Sequence, residues 1–136
     1  MANALFDSGR EAFLDGNISW STDSIKILLI DEGTDVPVPS TDDFLDDILA
    51  GARVATSGAL TSKTVTAGVA DCADETISAV SGATVESLVV FEDDAGAESA
   101  DRLICYIDTG TGLPFTPNGG DVTIQIDSGA SKLFKL

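Results

Sequence analysis

No histidine occurs in these 136 residues. That removes Ser-His and Cys-His nucleophile pairs and imidazole–metal chemistry together. One tryptophan, one tyrosine and seven Lys and Arg leave little polar equipment from which to build a catalytic pocket, so no enzymatic activity is expected. The two cysteines, Cys72 and Cys105, are too few for a disulfide framework and lack a metal-ligand spacing. Cys105, in "DRLICYID", reads as a small buried hydrophobe sharing a strand face with Leu103 and Ile107. Cys72 is flanked by Asp71 and Asp74, whose charges raise a thiol pKa, so neither cysteine reads as a nucleophile. No phosphate-binding loop is present, and "TGTGLP" lacks the later glycine and following helix of a dinucleotide fingerprint. No cofactor is expected.

Long apolar runs are missing as well. Stretches such as "ILLI" are strand-sized, far below the roughly 18 residues of a membrane span, so no membrane partner is expected. The opening "MANALFDSGREAF" lacks the basic and apolar regions of a secretory signal and is not expected to act as one. The seven cations are scattered singly apart from Lys132 and Lys135, whereas binding a phosphate backbone requires clustered ones. Nucleic acid is therefore not an expected partner.

What is present is acid and β-pattern. Twenty-three Asp and Glu give a formal charge of −16, while 43% hydrophobic residues place the chain among globular proteins. The length suits one domain spanning 1–136, with no internal repeat and no linker. An N-terminal helix is expected from Asn3, as its cap, to about Asp15, with Phe6 and Phe13 on one face and Gly16 as its stop. A second short helix is expected in "STDDFLDDIL", capped by Ser40 or Thr41, with Phe44, Leu45, Ile48 and Leu49 as its apolar side.

Elsewhere short segments alternate with small-residue turns. "SIKILLID" places Ile25, Ile27 and Leu29 on one face and Leu28 and Ile30 on the other, as in a strand buried on both sides. "ARVATSGAL", "KTVTAGVA", "ETISAV", "TVESLVVFED", "DRLICYID" and "DVTIQID" follow at a spacing that leaves no room for helical crossovers. The expected fold is mainly β, an antiparallel β-sandwich or barrel-like domain with a short N-terminal helix and one further short helix. Its core is expected to include Trp20, Ile27, Leu29, Val89, Phe91, Leu103, Ile107, Val122, Ile124 and Ile126.

Paired carboxylates in turns ordinarily face water. The richest loop, "FEDDAGAESAD", lacks the alternating order of an EF-hand and reads as a solvated hairpin tip, so no metal is expected. The chain closes on "SKLFKL", in which strand geometry points Leu133 away from Phe134 and Leu136. One face cannot bury all three, which makes this segment a candidate contact arm with Lys132 and Lys135 at its rim.

Three stretches together carry a resemblance: "NALFDSGREAFLDGNISWSTDSIKILLID", "FLDDILAGARVATSGALTSKTVTAGVAD" and "LICYIDTGTGLPFTPNGGDVTIQIDSGASKLFKL". As a series they resemble a family of small virion proteins of tailed bacteriophages, most like a capsid cement, or head decoration, protein. The resemblance implies a structural protein on the outer surface of the virion capsid, bound to the major capsid protein and forming a homo-oligomer, with a trimer favoured. It implies no catalytic residues. Phe6, Phe13, Lys132, Leu133, Phe134, Lys135 and Leu136 are then the candidate partner-binding residues. The alternative is a tail, neck or receptor-binding module of the same kind of particle.

Overall fold

The computed structural model describes residues 3–136. The protein is mainly β, with antiparallel sheets, one α-helix and short 3-10 turns. At its centre β2 (Ile25–Ile30) and β7 (Ser87–Glu92) pair over six residues. β8 (Leu103–Ile107) flanks β7, and β3 (Arg53–Thr56) flanks β2. A two-residue strand, β1 (Ala4–Leu5), closes the β8 side, giving the order β1-β8-β7-β2-β3.

This sheet is apolar on both faces, as the pattern of β2 predicts. Ile25, Ile27, Leu29 and Val90 join one buried cluster with Trp20, Ala70 and Phe134. Leu28, Ile30, Val89 and Phe91 join a second with Phe6, Leu45, Ile48 and Tyr106. Two smaller sheets complete the fold. One contains β4 (Thr64–Thr66), β5 (Val69–Asp71) and β10 (Phe134–Lys135), the other β6 (Glu75–Ile77) and β9 (Val122–Ile124). The segment "KTVTAGVA" is thus a hairpin rather than one strand, turned at Ala67 and Gly68, both at positive φ (52° and 80°). Positive φ at both central residues is the two-residue turn whose twist matches the strands.

Several sequence expectations are corrected. The helix α1 (Asp7–Leu14) is shorter than expected, and Asn3 does not cap it. The Asn3 side chain instead accepts from the Asp108 and Thr109 N–H groups at 2.9 Å each and donates to the Thr109 carbonyl at 3.1 Å. It anchors β1 beside β8 rather than starting a helix. The stop at Gly16 is as expected: at φ +74° it lets Asn17 N–H reach the Ala12 carbonyl and its own N–H reach that of Phe13. Phe6 and Phe13 do not share a face, because Phe6 precedes the helix and enters the second cluster while Phe13 packs against the first.

The second helix is not α-helical. Leu45–Asp47 forms one 3-10 turn, and Ala50–Ala52 another. Two competitors win here. Leu45 N–H donates to the Asp101 carbonyl (2.8 Å) and Leu103 N–H to that of Asp43 (3.0 Å), so the segment is tied to its neighbours. The aspartates bond main chain locally: Asp47 Oδ2 accepts from Asp43 and Phe44 N–H, and Asp42 Oδ2 from Val38 N–H. Neither Ser40 nor Thr41 is a cap. Leu45 and Ile48 are buried as expected, but Leu49 is exposed and Phe44 is half-buried beneath the Arg102 guanidinium, 4.8 Å from its ring centre.

Leu103 does not share a face with Cys105 and Ile107. The register shifts so that Val90 faces Cys105 while Phe91 faces Leu103, leaving Ile104 as the extra residue of a bulge. Leu103 therefore enters the second cluster, whereas Ile104 and Cys105 enter the first. Of the expected core, Trp20, Ile27, Leu29, Val89, Phe91 and Leu103 are buried. Ile107, Val122, Ile124 and Ile126 are only half-buried against the first cluster, because among the described residues β9 pairs with β6 alone and does not join the main sheet.

Candidate functional site

The C-terminal segment is held as a strand. Phe134 pairs with Ala70 and Lys135 with Val69, while Leu133 N–H donates to the Ala70 carbonyl (3.1 Å) and Leu136 N–H to that of Gly68 (2.9 Å). The Phe134 ring stands edge-on to Trp20 with centroids 5.2 Å apart and lies 6.0 Å from Phe13. Trp20 is fixed in turn, its indole N–H donating to the Asp71 carbonyl at 3.2 Å.

The seven candidate contact residues therefore separate. Phe6 and Phe134 are buried within their own chain, which corrects their expected place on a partner-facing surface. Phe13 and Leu133 are half-buried against the same core cluster. The expectation that one set of apolar side chains faces outward holds for Leu136 alone, which is 54% exposed. Lys135 is exposed, and Lys132 is half-buried with its ammonium 3.3 Å from the Ser128 carbonyl. Sequence reasoning missed Val65, which is 55% exposed on β4. Its alternating neighbours Thr64 and Thr66 carry the signal, but β4 becomes an edge only through its pairing with β5 in the hairpin.

A cleft of about 1270 Å³ opens between the five-stranded sheet and the β9 segment. Ile107, Phe115, Val122 and Ile126 line it, together with Lys132 and Lys135. Its walls include four half-buried residues expected to be core, Ile107, Val122, Ile124 and Ile126, so the cleft is the gap left where the sandwich does not close.

Burial and pairing account for the perturbed titratable groups Cys105, Cys72, Tyr106 and Asp93. Burial pushes the Cys105 thiol up to about 12, and burial with the Asp71 charge pushes Cys72 to about 11. Neither supplies thiolate near neutral pH. The Tyr106 hydroxyl is likewise raised by burial and by its bond to Glu32. In the acidic loop, Asp93 is paired to Lys26 at 2.5 Å and Asp101 Oδ1 accepts from the Asp94 N–H at 3.0 Å. Among the described residues, no three Cys, Asp or Glu side chains converge as metal ligands.

Arg53 organises the acidic side of the molecule. Its guanidinium donates to the Leu45 and Ile48 carbonyls at 2.7 and 2.6 Å and pairs with Glu98 at 2.8 Å. One cation thus stitches β3 to two acidic turns.

The chain matches no protein-family model and no curated protein.

Proposed function

We propose that this chain is a structural protein of a tailed-bacteriophage virion, a capsid cement protein that binds the major capsid protein on the outer surface of the head and works as a homo-oligomer, a trimer by preference. The observation that carries the reading is the end-to-end series of segments that resembles small virion proteins. Geometry is compatible with that use. Both ends of the described chain are paired into sheets, β1 on β8 and β10 on β5, so a contact made near either end acts on an ordered strand. The surface offers edges and exposed apolar side chains for binding, and the role proposed is binding rather than catalysis.

The test is copy number and location. Mass spectrometry of purified virions, with density maps of head and tail, should find the chain on the head at copy numbers near those of the major capsid protein. A few copies at the tail or neck would favour the tail-module alternative, and absence from particles would overturn both.

A further inference from the structure

The two faces of the central sheet carry opposite electrostatic characters. On the side of Leu45 and Ile48 the cover is residues 31–47, with seven acidic residues and no Lys or Arg of its own, the Arg53 and Arg102 guanidiniums touching it at Leu45 and Phe44. On the side of Ala70 and Phe134 the cover is the β4-β5-β10 sheet. Its strands come from two acid-free stretches, 48–70 and 128–136, with Asp71 as its one acidic residue. Lys63, Lys132 and Lys135 belong to the same sheet or its flanks. On a molecule of net charge −16 this sheet is poor in acid and holds three of the seven cations, with Lys63 bonded to the Asp23 carbonyl, Lys132 to that of Ser128, and Lys135 exposed.

The same sheet holds exposed apolar groups. Among the described residues β4 pairs with β5 only, leaving an open edge, and Val65 and Leu136 are exposed on this sheet and at its end. An unpaired edge with exposed apolar side chains is a surface that natural proteins cover or defend.

We infer that the β4-β5-β10 sheet docks on the acidic 31–47 cover of a second copy of this chain. Charge selects the arrangement. Two β4-β5-β10 sheets facing each other would oppose lysines to lysines, and two acidic covers would repel more strongly. Only the sheet of one copy against the cover of the next is complementary. Because the two surfaces lie on opposite sides of the central sheet, the contact is head-to-tail, and each copy leaves one of its two surfaces free for a further copy. Such contacts close into rings when the rotation allows. The inference takes up the self-association in the proposed function and does not depend on the virion itself.

The experiment uses the full chain in sedimentation velocity at low and high salt. Two charge-reversed variants accompany it, Lys132→Glu with Lys135→Glu, and Asp43→Lys with Asp46→Lys. Asp43 and Asp46 are exposed and their carboxylates make no described hydrogen bond, and circular dichroism checks that each variant folds. Wild type should self-associate at low salt, with affinity falling at least tenfold in high salt, because surface charge pairs are screened. Each variant alone should be monomeric, and mixing the two should restore a complex. A wild type that stays monomeric at millimolar concentration, or variants that associate like wild type, would overturn the inference. So would a mixture that forms no complex. A monomer that still decorates heads sinks this inference alone, whereas a salt-sensitive oligomer absent from virions sinks the virion reading alone.

Discussion

A Cβ placed on Gly9 would stand 2.7 Å from the Leu103 carbonyl oxygen and 2.9 Å from the Ile104 Cα. Helix α1 therefore lies directly on the backbone of β8, at the bulge. Ser8, Gly9 and Ala12 form its buried face, and all three are small. In isolation Gly9→Ala would raise helix propensity by about 1 kcal/mol. Here the methyl meets main chain that cannot step aside, so the variant should lose about 1–3 kcal/mol net. A thermal melt above that of wild type would show that α1 can lift off β8.

Gly9 also shows where the sequence is legible and where it is not. From the sequence it is a helix-weakening residue; only the packing shows that the approach requires it. β2 could be read in full, because alternation within six residues reports burial on both faces directly. β8 could be read as a strand but not in orientation, since a bulge adds one residue without any local mark in "DRLICYID". The 40–49 segment looked helical because caps and apolar spacing fit, yet its aspartates bond main chain and Leu45 is held by Asp101. Phe134 looks like a contact residue in the sequence because the fate of a two-residue strand depends on its distant partners, here Ala70 and Trp20.

Arg53 gives a second prediction. Arg53→Met keeps the length of the side chain but leaves the Leu45 and Ile48 carbonyls without their cationic donor. Denaturant unfolding should show a loss of about 1.5–3 kcal/mol. Arg53→Lys should fall between, because one ammonium cannot reproduce the planar fork. Equal stability of all three would mean that the turns stand without the stitch.

The turn at Ala67 and Gly68 can be improved. Alanine at φ +52° carries the left-handed strain of about 1–2 kcal/mol, which asparagine tolerates better. Ala67→Asn creates the Asn-Gly pair preferred in such hairpins and should raise the melting temperature, with a gain of about 0.5–1 kcal/mol. A lower melting temperature would contradict the turn geometry.

Acid should first stabilise this protein and then weaken it. Burial raises the carboxyl pKa of Asp42, Glu92 and Asp101 above their ordinary values of 3.8, 4.5 and 3.8, with neighbouring acids adding to each shift. A raised folded-state pKa means the folded form binds the proton more tightly. Stability therefore rises as pH falls through these raised values, and the gain is complete below the ordinary ones. Asp93 has the opposite sign, held below 3.8 by its bond to Lys26, and its contribution is lost as pH falls through its lowered value. Melting temperature should rise as pH falls from 7 towards the ordinary carboxyl values and decline once pH falls through the lowered value of Asp93. A monotonic fall from pH 7 would contradict the shifts of the three raised carboxyls.

The C-terminus provides the sharpest contrast between neighbouring residues. Phe134 fills the space between Trp20 and Phe13, while Leu136, two residues on, is half in solvent. Phe134→Ala should cost about 3–5 kcal/mol, as for other buried aromatic truncations. Leu136→Ala should change the stability of the monomer by no more than about 0.5 kcal/mol. Deleting residues 132–136 removes β10 and with it the bonds to Ala70 and Gly68, so the shortened chain should melt far lower rather than persist as an intact domain. Trp20 is the single tryptophan of the chain and reports this directly. Its emission should shift to the red in Phe134→Ala and in the deletion, and stay at the wild-type wavelength in Leu136→Ala. If the deletion kept both its melting temperature and its emission, the C-terminal strand would be an accessory arm and the aromatic contacts of Phe134 would contribute nothing to the fold.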